Sequence, residues 1–396
     1  MLDIPTTYEN SSSLWSARVD NDFLTPLRTF ILRHVLPHAE AIDKEDRYPV
    51  DIIKMLAREG YTSLTLPTHW AGRAKSYRYC AAVFEEASYA SAAVGISLIT
   101  ILQAQTLIQH FGTDSLKNTV LPEFADGLIT AYALTEANHG SDIRSLDTKA
   151  TKTANGWVLN GRKSFITSGS AAEAYIVLAE TPKGVSTFFV RRAMHGVSTF
   201  DGPTSGTFGL RNGPHVDLVL ENVAVPEDHL IGIEGKGVRQ AVTTLDFSRT
   251  MAGAISLGIA RAAFDNALTY AAKRQAFDQN ILSFQGIQWY LADLITHIDA
   301  ARLMVYEACH ALDNHHEIAR YSSQAKLAAS QVATRSAECA IQICGAYGVT
   351  EHAPFGRYLR DAKAYEIAGG SSEILKNTLG KHLSAFAKKH VLKDSQ

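Results

Sequence analysis

The sequence predicts a mostly α-helical protein in which a small antiparallel, barrel-like β-domain is inserted between an N-terminal helical domain and a C-terminal four-helix bundle. Up to about residue 128 the apolar residues recur mainly at helical spacing. Short β-branched and aromatic runs, separated by Gly, Asn and Pro, follow up to about residue 235. Helical periodicity then returns and continues to the C-terminal region. We therefore predict domains at 1–128, 129–235 and 236–396.

In the N-terminal region, Ile52, Ile53 and Leu56 lie on one face of a predicted helix, and Gly60 marks its end. Residues 80–110 are rich in Ala and Ser, which permit close contact between helices. This composition predicts two closely packed helices over that range.

The middle region carries short apolar runs at 157–159, 175–178, 187–190 and 216–220. Turn-forming pairs such as Asn155-Gly156 separate them. Short strands at regular intervals with such turns are typical of a small antiparallel sheet or barrel.

The C-terminal region contains the most regular helical pattern, over 285–312, where apolar residues alternate in steps of four and three. That seam is typical of a bundle helix with one buried stripe. Residues 244–273 are apolar or small on almost every side, which predicts a helix buried between others. Residues 322–346, rich in Ala and Ser, are a third predicted helix.

Composition excludes several classes of protein. Among 396 residues, 38 Lys and Arg balance 40 Asp and Glu, so no excess charge favours nucleic acid or an anionic membrane. The four cysteines form no C-x-x-C pair, and His315-His316-Glu317 reads as a solvated turn, so we expect no metal site. We find no secretory signal and no membrane-spanning apolar stretch, and we expect a cytoplasmic protein.

Common catalytic motifs do not occur: the sequence has no G-x-G-x-x-G after a strand, no P-loop, no nucleophile elbow and no H-E-x-x-H. Two polar, Gly-containing segments border the β-domain, at 132–142 and 161–169. Hydroxyls and free backbone N–H groups at strand ends can hold a phosphate or the edge of a heteroaromatic ring. By physical chemistry alone these segments are equally compatible with ordinary turns.

These two segments contain the first two of eight motifs that follow one another along the chain. They are Leu134-Thr135-Glu136 with Gly140-Ser141-Asp142, Phe165-Ile166-Thr167, Leu210-Arg211, Val223-Ala224-Val225-Pro226, Leu230-Ile231-Gly232, Arg274 with Phe277 and Gln285, Gln342 with Gly345, and Arg360-Asp361-Ala362-Lys363. Over nearly the whole chain they resemble the acyl-CoA dehydrogenase family of FAD flavoproteins. The resemblance implies N-terminal helices, a middle β-domain and a C-terminal four-helix bundle, assembled as a homotetramer or homodimer.

The resemblance also implies which residues bind FAD. These are Leu134, Thr135, Ser141, Phe165, Thr167, Arg274, Phe277, Gln285, Gln342, Gly345, Ala346, Ser371 and Glu373. The planar guanidinium of Arg274 suits the FAD pyrophosphate, and Phe165 is expected to pack on the flavin ring.

The catalytic base of the family is missing. In most members a Glu stands in the segment Ile-x-Glu-Gly-Thr, and the equivalent position here is Gly369. Some relatives place the Glu directly before an Arg on the buried helix, where this chain has Ser248-Arg249. Gly369, Arg249 and, as a weak candidate base, Glu366 are therefore the predicted catalytic positions. The backbone N–H of Gly369 is still able to polarise a thioester carbonyl.

The resemblance implies an FAD-dependent α,β-desaturation of an acyl thioester, carried on CoA or on a carrier protein, with hydride transfer to flavin N5. The electron acceptor is expected to be an electron-transfer flavoprotein or oxygen. The absent Glu leaves open a flavin-dependent oxidase or monooxygenase on the same fold, and a non-catalytic flavin-binding protein as a third reading.

Overall fold

The computed structural model describes residues 19–141, 143, 145–201 and 205–390. These residues divide into two compact units. One lies within Met1–Pro37, Ser76–Ala92 and Asp246–Gln396, and the other within His38–Lys75 and Ala93–Leu245. We call them the helical unit and the mixed unit. Along the chain, helices are followed by strands and then by helices, which confirms the predicted fold class. The predicted boundaries near 128 and 236 stay a prediction.

The periodic segments predicted as helices, around 52–56 and over 80–110, 244–273, 285–312 and 322–346, lie within described helices, and 80–110 contains two as predicted. The described helices are α1 Asn21–His34, α2 Ala39–Glu45, α3 Val50–Arg58, α4 Tyr77–Ala90, α5 Ala92–Phe111, α6 Asp114–Val120, α7 Gly237–Lys273, α8 Gln285–Asp313, α9 Ala319–Gly348, α10 Phe355–Ile367 and α11 Ser372–His390. In the helical unit, α9 packs against α8, α10 and α11. At Gly345 the backbone of α9 leaves helical geometry, with φ of 56° and ψ of −134°. Glycine tolerates this conformation because it has no Cβ.

The strands of the mixed unit form one sheet. They are β1 Thr130–Ala133, β2 Lys149–Thr153, β3 Gly156–Ile166, β4 Ala174–Thr181, β5 Gly184–Arg191, β6 Val197–Phe200, β7 Val216–Pro226 and β8 Leu230–Ile231. The hydrogen-bonded order is β6-β7-β3-β2-β4-β5-β8, with β1 also on β4. The helical unit adds a hairpin of β9 Gln275–Ala276 and β10 Gln279–Asn280.

One detail corrects the antiparallel prediction. Strand β4 pairs parallel with β1 over four residues, and β2 meets β4 in parallel register at Lys149 and Glu180. Both pairs are joined by long connections rather than by hairpins, which permits parallel pairing. Strand β4 is buried along almost its whole length, so its sequence is continuously apolar and does not alternate.

The helical unit is crossed by a buried charge network. A Cβ on Gly258 of α7 would lie 2.4 Å from the carbonyl oxygen of Glu85, so only glycine permits this approach to α4. Nearby, Arg261 Nη1 lies 2.8 Å from Glu85 Oε1 and 2.9 Å from Glu86 Oε1. Arg302 Nη2 reaches the same Glu85 oxygen at 3.3 Å. Because each charge is paired, burial of these groups is tolerated.

One described helix, Ala92–Phe111, is long and apolar enough to cross a membrane. Within the fold, 94% of its most apolar window is buried, as in the core helix of a globular protein.

Candidate functional site

The connection between α10 and α11 carries two successive glycines. Helix α10 ends at Ile367, and the N–H of Ala368 still donates to the carbonyl of Ala364. Gly369 and Gly370 then have φ of +73° and +110°, a region that favours glycine. We call residues 368–371 the double-glycine turn. A Cβ on Gly369 would meet no atom within 4 Å, so the family's usual carboxylate position faces open space.

Two buried cations hold the carbonyls of this turn. Arg249 Nε on α7 donates to Gly369 O at 3.3 Å. Lys326 Nζ on α9 donates to Gly370 O at 2.7 Å and to Glu366 O at 3.2 Å. Among the described residues, the backbone N–H groups of Gly369 and Gly370 have no partner. The turn therefore offers hydrogen-bond donors that a ligand oxygen is able to accept.

A carboxylate that our sequence analysis missed lies beside Arg249. Asp246 is three residues earlier on the same helix, and its Oδ1 lies 3.4 Å from Arg249 Nη1. Ser322 Oγ on α9 donates to the same oxygen at 2.9 Å. Burial raises the pKa of Asp246, against the lowering effect of Ser322 and Arg249. The signal in the sequence was an Asp and an Arg at i, i+3 spacing on an otherwise apolar helix.

Glu366, the weak candidate base, has both carboxylate oxygens engaged. Thr334 Oγ1 donates to Oε1 at 2.6 Å, and Lys363 Nζ donates to Oε2 at 2.8 Å. Burial alone raises its pKa, but the hydrogen bonds and charges of these partners bring the pKa below its ordinary value. A carboxylate held in this way is a weaker base.

In the mixed unit, a buried ion pair joins the two polar segments. Lys163 Nζ on β3 lies 2.7 Å from Glu136 Oε1 and 3.3 Å from the carbonyl oxygen of Leu134. Glu136 also accepts from the backbone N–H groups of Asp147 and Thr148, at 2.5 and 3.0 Å. These contacts fix residues 134–136 against β3. A further backbone bond from Ser164 N to Thr135 O, at 2.9 Å, closes the junction.

Next to this junction are the predicted flavin contacts of the mixed unit. Phe165 has φ of +58° and is 52% exposed, an unusual state for a large aromatic side chain in a strand. The hydroxyls of Thr135 and Thr167 have no partner among the described residues, and both side chains are partly accessible. Leu134 packs on the smaller apolar cluster of this unit. Ser141 is exposed, whereas Asp142 lies outside the described residues.

The predicted flavin contacts of the helical unit lie on its surface. Arg274 directly precedes the β9–β10 hairpin, and Phe277, which lies in its turn, is 88% exposed. Gln285 begins α8, and Gln342 and Ala346 flank the bend of α9 at Gly345; all of them are exposed. Ser371 caps α11 by accepting from Ile374 N at 3.4 Å, and Glu373 follows in the first turn.

Glu136, His139 and Asp147 bring their side-chain ligand atoms within 4.8 Å of one another. The two oxygens of Glu136 already accept from Lys163 and from two backbone N–H groups. The Lys163 ammonium would also repel a cation. This group is therefore explained as a hydrogen-bonded ion pair, and its donor set does not favour a metal.

Sequence comparison matches the chain to three domains in order. They are the N-terminal domain of acyl-CoA dehydrogenases over residues 20–128, the middle domain over 131–223 and the C-terminal domain over 235–384. An acyl-CoA dehydrogenase from Bacillus subtilis (strain 168) is 36% identical over 367 residues, covering 90% of this chain and 96% of the relative.

Solved structures share the fold. Butyryl-CoA dehydrogenase from Megasphaera elsdenii superposes with a TM-score of 0.88 at 33% identity, covering 91% of this chain and 97% of that one. The prolyl acyl carrier protein oxidase AnaB gives a TM-score of 0.87 at 25% identity, covering 91% of this chain and 98% of that one.

Proposed function

Because the chain belongs to the acyl-CoA dehydrogenase family, we propose that it is an FAD-dependent oxidoreductase that desaturates an acyl thioester. The observation that carries the proposal is the double-glycine turn. It keeps the donors and the cationic support that a thioester carbonyl needs, although Gly369 stands where the family usually has its base. The thioester is carried on CoA or on a carrier protein.

The residues of both units suit FAD. In the mixed unit, the hydroxyls of Thr135 and Thr167, which have no partner in the described part of the chain, offer hydrogen bonds, and the exposed Phe165 offers a packing surface for a flavin ring. In the helical unit, Arg274 has an exposed guanidinium suited to a pyrophosphate. The other FAD contacts predicted in this unit are Gln285, Gln342, Gly345, Ala346, Ser371 and Glu373. FAD supplies a two-electron acceptor when bound.

The turn residues would orient the substrate. The N–H groups of Gly369 and Gly370 donate to the thioester carbonyl, which favours the negative charge that develops on its oxygen as an α-proton leaves. Arg249 and Lys326 act indirectly, since each binds a carbonyl of the turn and so holds those N–H groups in place. We expect additional copies of the chain to cover the exposed Arg274 and Phe277 in a homotetramer or homodimer. We place the enzyme in the cytoplasm, with an electron-transfer flavoprotein or oxygen as acceptor.

One observation favours a second function. Neither Gly369 nor Ser248 carries a carboxylate. A flavin-dependent oxidase or monooxygenase is therefore the second function, and the monooxygenase reaction requires no α-proton base. The similarity to an acyl carrier protein oxidase agrees with that alternative.

Anaerobic mixing of the purified holoprotein with a panel of acyl-CoA and acyl-carrier thioesters distinguishes the two functions. We expect FAD to copurify and at least one thioester to bleach the flavin without oxygen. If no thioester bleaches it, while flavin reduced by an external reductant consumes oxygen, the monooxygenase takes precedence. If a thioester bleaches the flavin and oxygen then rapidly restores its colour, the oxidase takes precedence. Colourless protein that takes up no added FAD would refute the cofactor.

Replacing Arg274 with Ala is expected to weaken FAD retention about 10- to 100-fold, the effect of losing a charge-assisted hydrogen-bond pair of about 1.5–3 kcal/mol. The measurement is the FAD dissociation constant from fluorescence titration of apoprotein. Arg274→Lys is the matched control, because it keeps the charge without the planar fork, and we expect an intermediate constant. Equal constants for all three proteins would remove Arg274 from the FAD site.

A further inference from the structure

The titratable groups around the double-glycine turn differ in how many of their polar atoms have a hydrogen-bond partner. Glu366 accepts hydrogen bonds on both oxygens, as described above. Lys326 donates to two carbonyls, and burial, reinforced by the charge of Arg249, lowers its pKa to about 8. At neutral pH it is mostly an ammonium, which has no lone pair to receive a proton. Neither group is poised as a base.

Asp246 differs from both. Its Oδ1 accepts from Ser322 and Arg249, whereas its Oδ2 has no hydrogen-bond partner among the described residues. The residue is only 5% exposed. Such a carboxylate is held in one orientation by the oxygen that accepts hydrogen bonds, and burial, which raises its pKa, makes it a stronger base than an exposed Asp.

The surroundings connect Asp246 to the turn. Arg249, on the same helix, contacts both the Asp246 carboxylate and the carbonyl of Gly369. On α9, Ser322 donates to Asp246, and Lys326 donates to the backbone carbonyls of Glu366 and Gly370. The acidic groups that act on Lys326 are Glu366, near the end of α10, and Glu373, in the first turn of α11. The guanidinium of Arg249 thus links Asp246 to the turn whose N–H groups would bind the thioester.

We propose that Asp246 is the proton acceptor of the reaction, a role that rests on the proposed function. Oδ2 takes the α-proton of the acyl group. The electron pair of the broken Cα–H bond forms the Cα–Cβ double bond. FAD, when bound, would supply the acceptor for the hydrogen and the electron pair that leave Cβ. Arg249 keeps the carboxylate oriented and also supports the turn that binds the carbonyl oxygen.

The test separates proton removal from redox chemistry. An acyl thioester with α-hydrogens but no β-hydrogen, 3,3-dimethylbutyryl-CoA, cannot be desaturated, yet a base exchanges its α-hydrogens with solvent. In D2O, mass spectrometry is expected to show exchange by the wild-type holoprotein. Asp246→Asn keeps the shape and the acceptor oxygen, and it is expected to slow exchange about 100-fold or more. Its FAD content and its dissociation constant for the thioester are expected to match the wild type.

Asp293→Asn makes the same chemical change at an exposed position of α8 and is the matched control, with exchange equal to the wild type. Exchange by Asp246→Asn at the wild-type rate would overturn the role of Asp246 alone. Absence of both exchange and flavin bleaching in the wild type, with every thioester of the panel, would overturn the proposed function and this role with it.

Two further measurements test the proposal if Asp246→Asn does not fold. In Asp246→Ala, added formate is expected to restore exchange by supplying a carboxylate. In the wild type, exchange is expected to show no rise with the titration of Lys326 near pH 8, because Asp246, whose pKa burial raises, is the group that accepts the proton. An exchange rate that instead rises as the pH passes the pKa of Lys326, about 8, would assign proton removal to that amine and overturn the proposal.

Discussion

Replacing Lys163 with Met is expected to lower the free energy of unfolding of the mixed unit by about 3–5 kcal/mol, because it leaves the Glu136 carboxylate buried without its cation. Both side chains are almost completely buried, at 0% and 2% exposure. The same change is expected to weaken FAD binding, because Lys163 and Glu136 fix residues 134–136, and this segment contains the predicted flavin contact Thr135. Denaturant unfolding and fluorescence titration with FAD measure the two effects.

The double variant Lys163→Met/Glu136→Gln is the control. A neutral Gln removes the unpaired buried charge, and its single carbonyl oxygen still accepts from one of the two backbone N–H groups that Glu136 binds, those of Asp147 and Thr148, so part of the lost stability is expected to return. Equal loss in the single and double variants would show that Lys163 contributes packing rather than charge.

Acid unfolding reports on the same pair. Burial alone would raise the pKa of Glu136, but its bonds from Lys163 and Thr148 bring it to about 2, below the ordinary 4.5. A lowered carboxyl pKa adds stability above pH 4.5, and this contribution is lost as the pH falls from 4.5 toward 2. Wild-type stability is therefore expected to fall over that interval. In Lys163→Met/Glu136→Gln this part of the decline is expected to be absent.

Introducing Glu at position 369 in the Asp246→Asn background is expected to restore α-proton exchange about 100-fold, since a general base contributes roughly 10²–10⁴ in rate. No atom lies within 4 Å of a Cβ at this position, so the side chain has room. The φ of +73° is unfavourable for Glu. We expect a loss of stability of about 1–2 kcal/mol, measured as a lower thermal midpoint.

Gly369→Gln in the same background matches the size and the backbone strain of Glu but is not a base. It is expected to lose the same stability without recovering exchange. Equal recovery by Gln and Glu would mean that the side chain acts by changing the turn rather than by accepting a proton.

The fold was largely predictable because its periodicities are local. The seam over 285–312 and the apolar stretch over 244–273 each reflect which side of one helix is buried. The parallel pairing of β1 with β4 was not predictable in this way, since it joins segments about forty residues apart. Such pairings depend on how the connections pack.

The candidate site was also predictable only in part. Motif order predicted Thr135, Phe165, Arg274 and Gly369 as site positions, because these residue types stand in recognisable local segments. Asp246 was missed, since its importance depends on Arg249 and Ser322, and Ser322 is 76 residues away. The occupied oxygens of Glu366 were equally invisible, as Thr334 lies 32 residues earlier on another helix.

The sequence by itself determined the order of helices and strands, the family, and the absence of a carboxylate at position 369, because each is written in residue types and their local spacing. Only the tertiary structure decided which charged groups surround that position. Arg249, Lys326 and Asp246 come from two helices far apart in sequence, and only packing removes them from water. Desolvation and pairing then decide which group stays charged, which supports the turn and which keeps a free oxygen able to accept a proton.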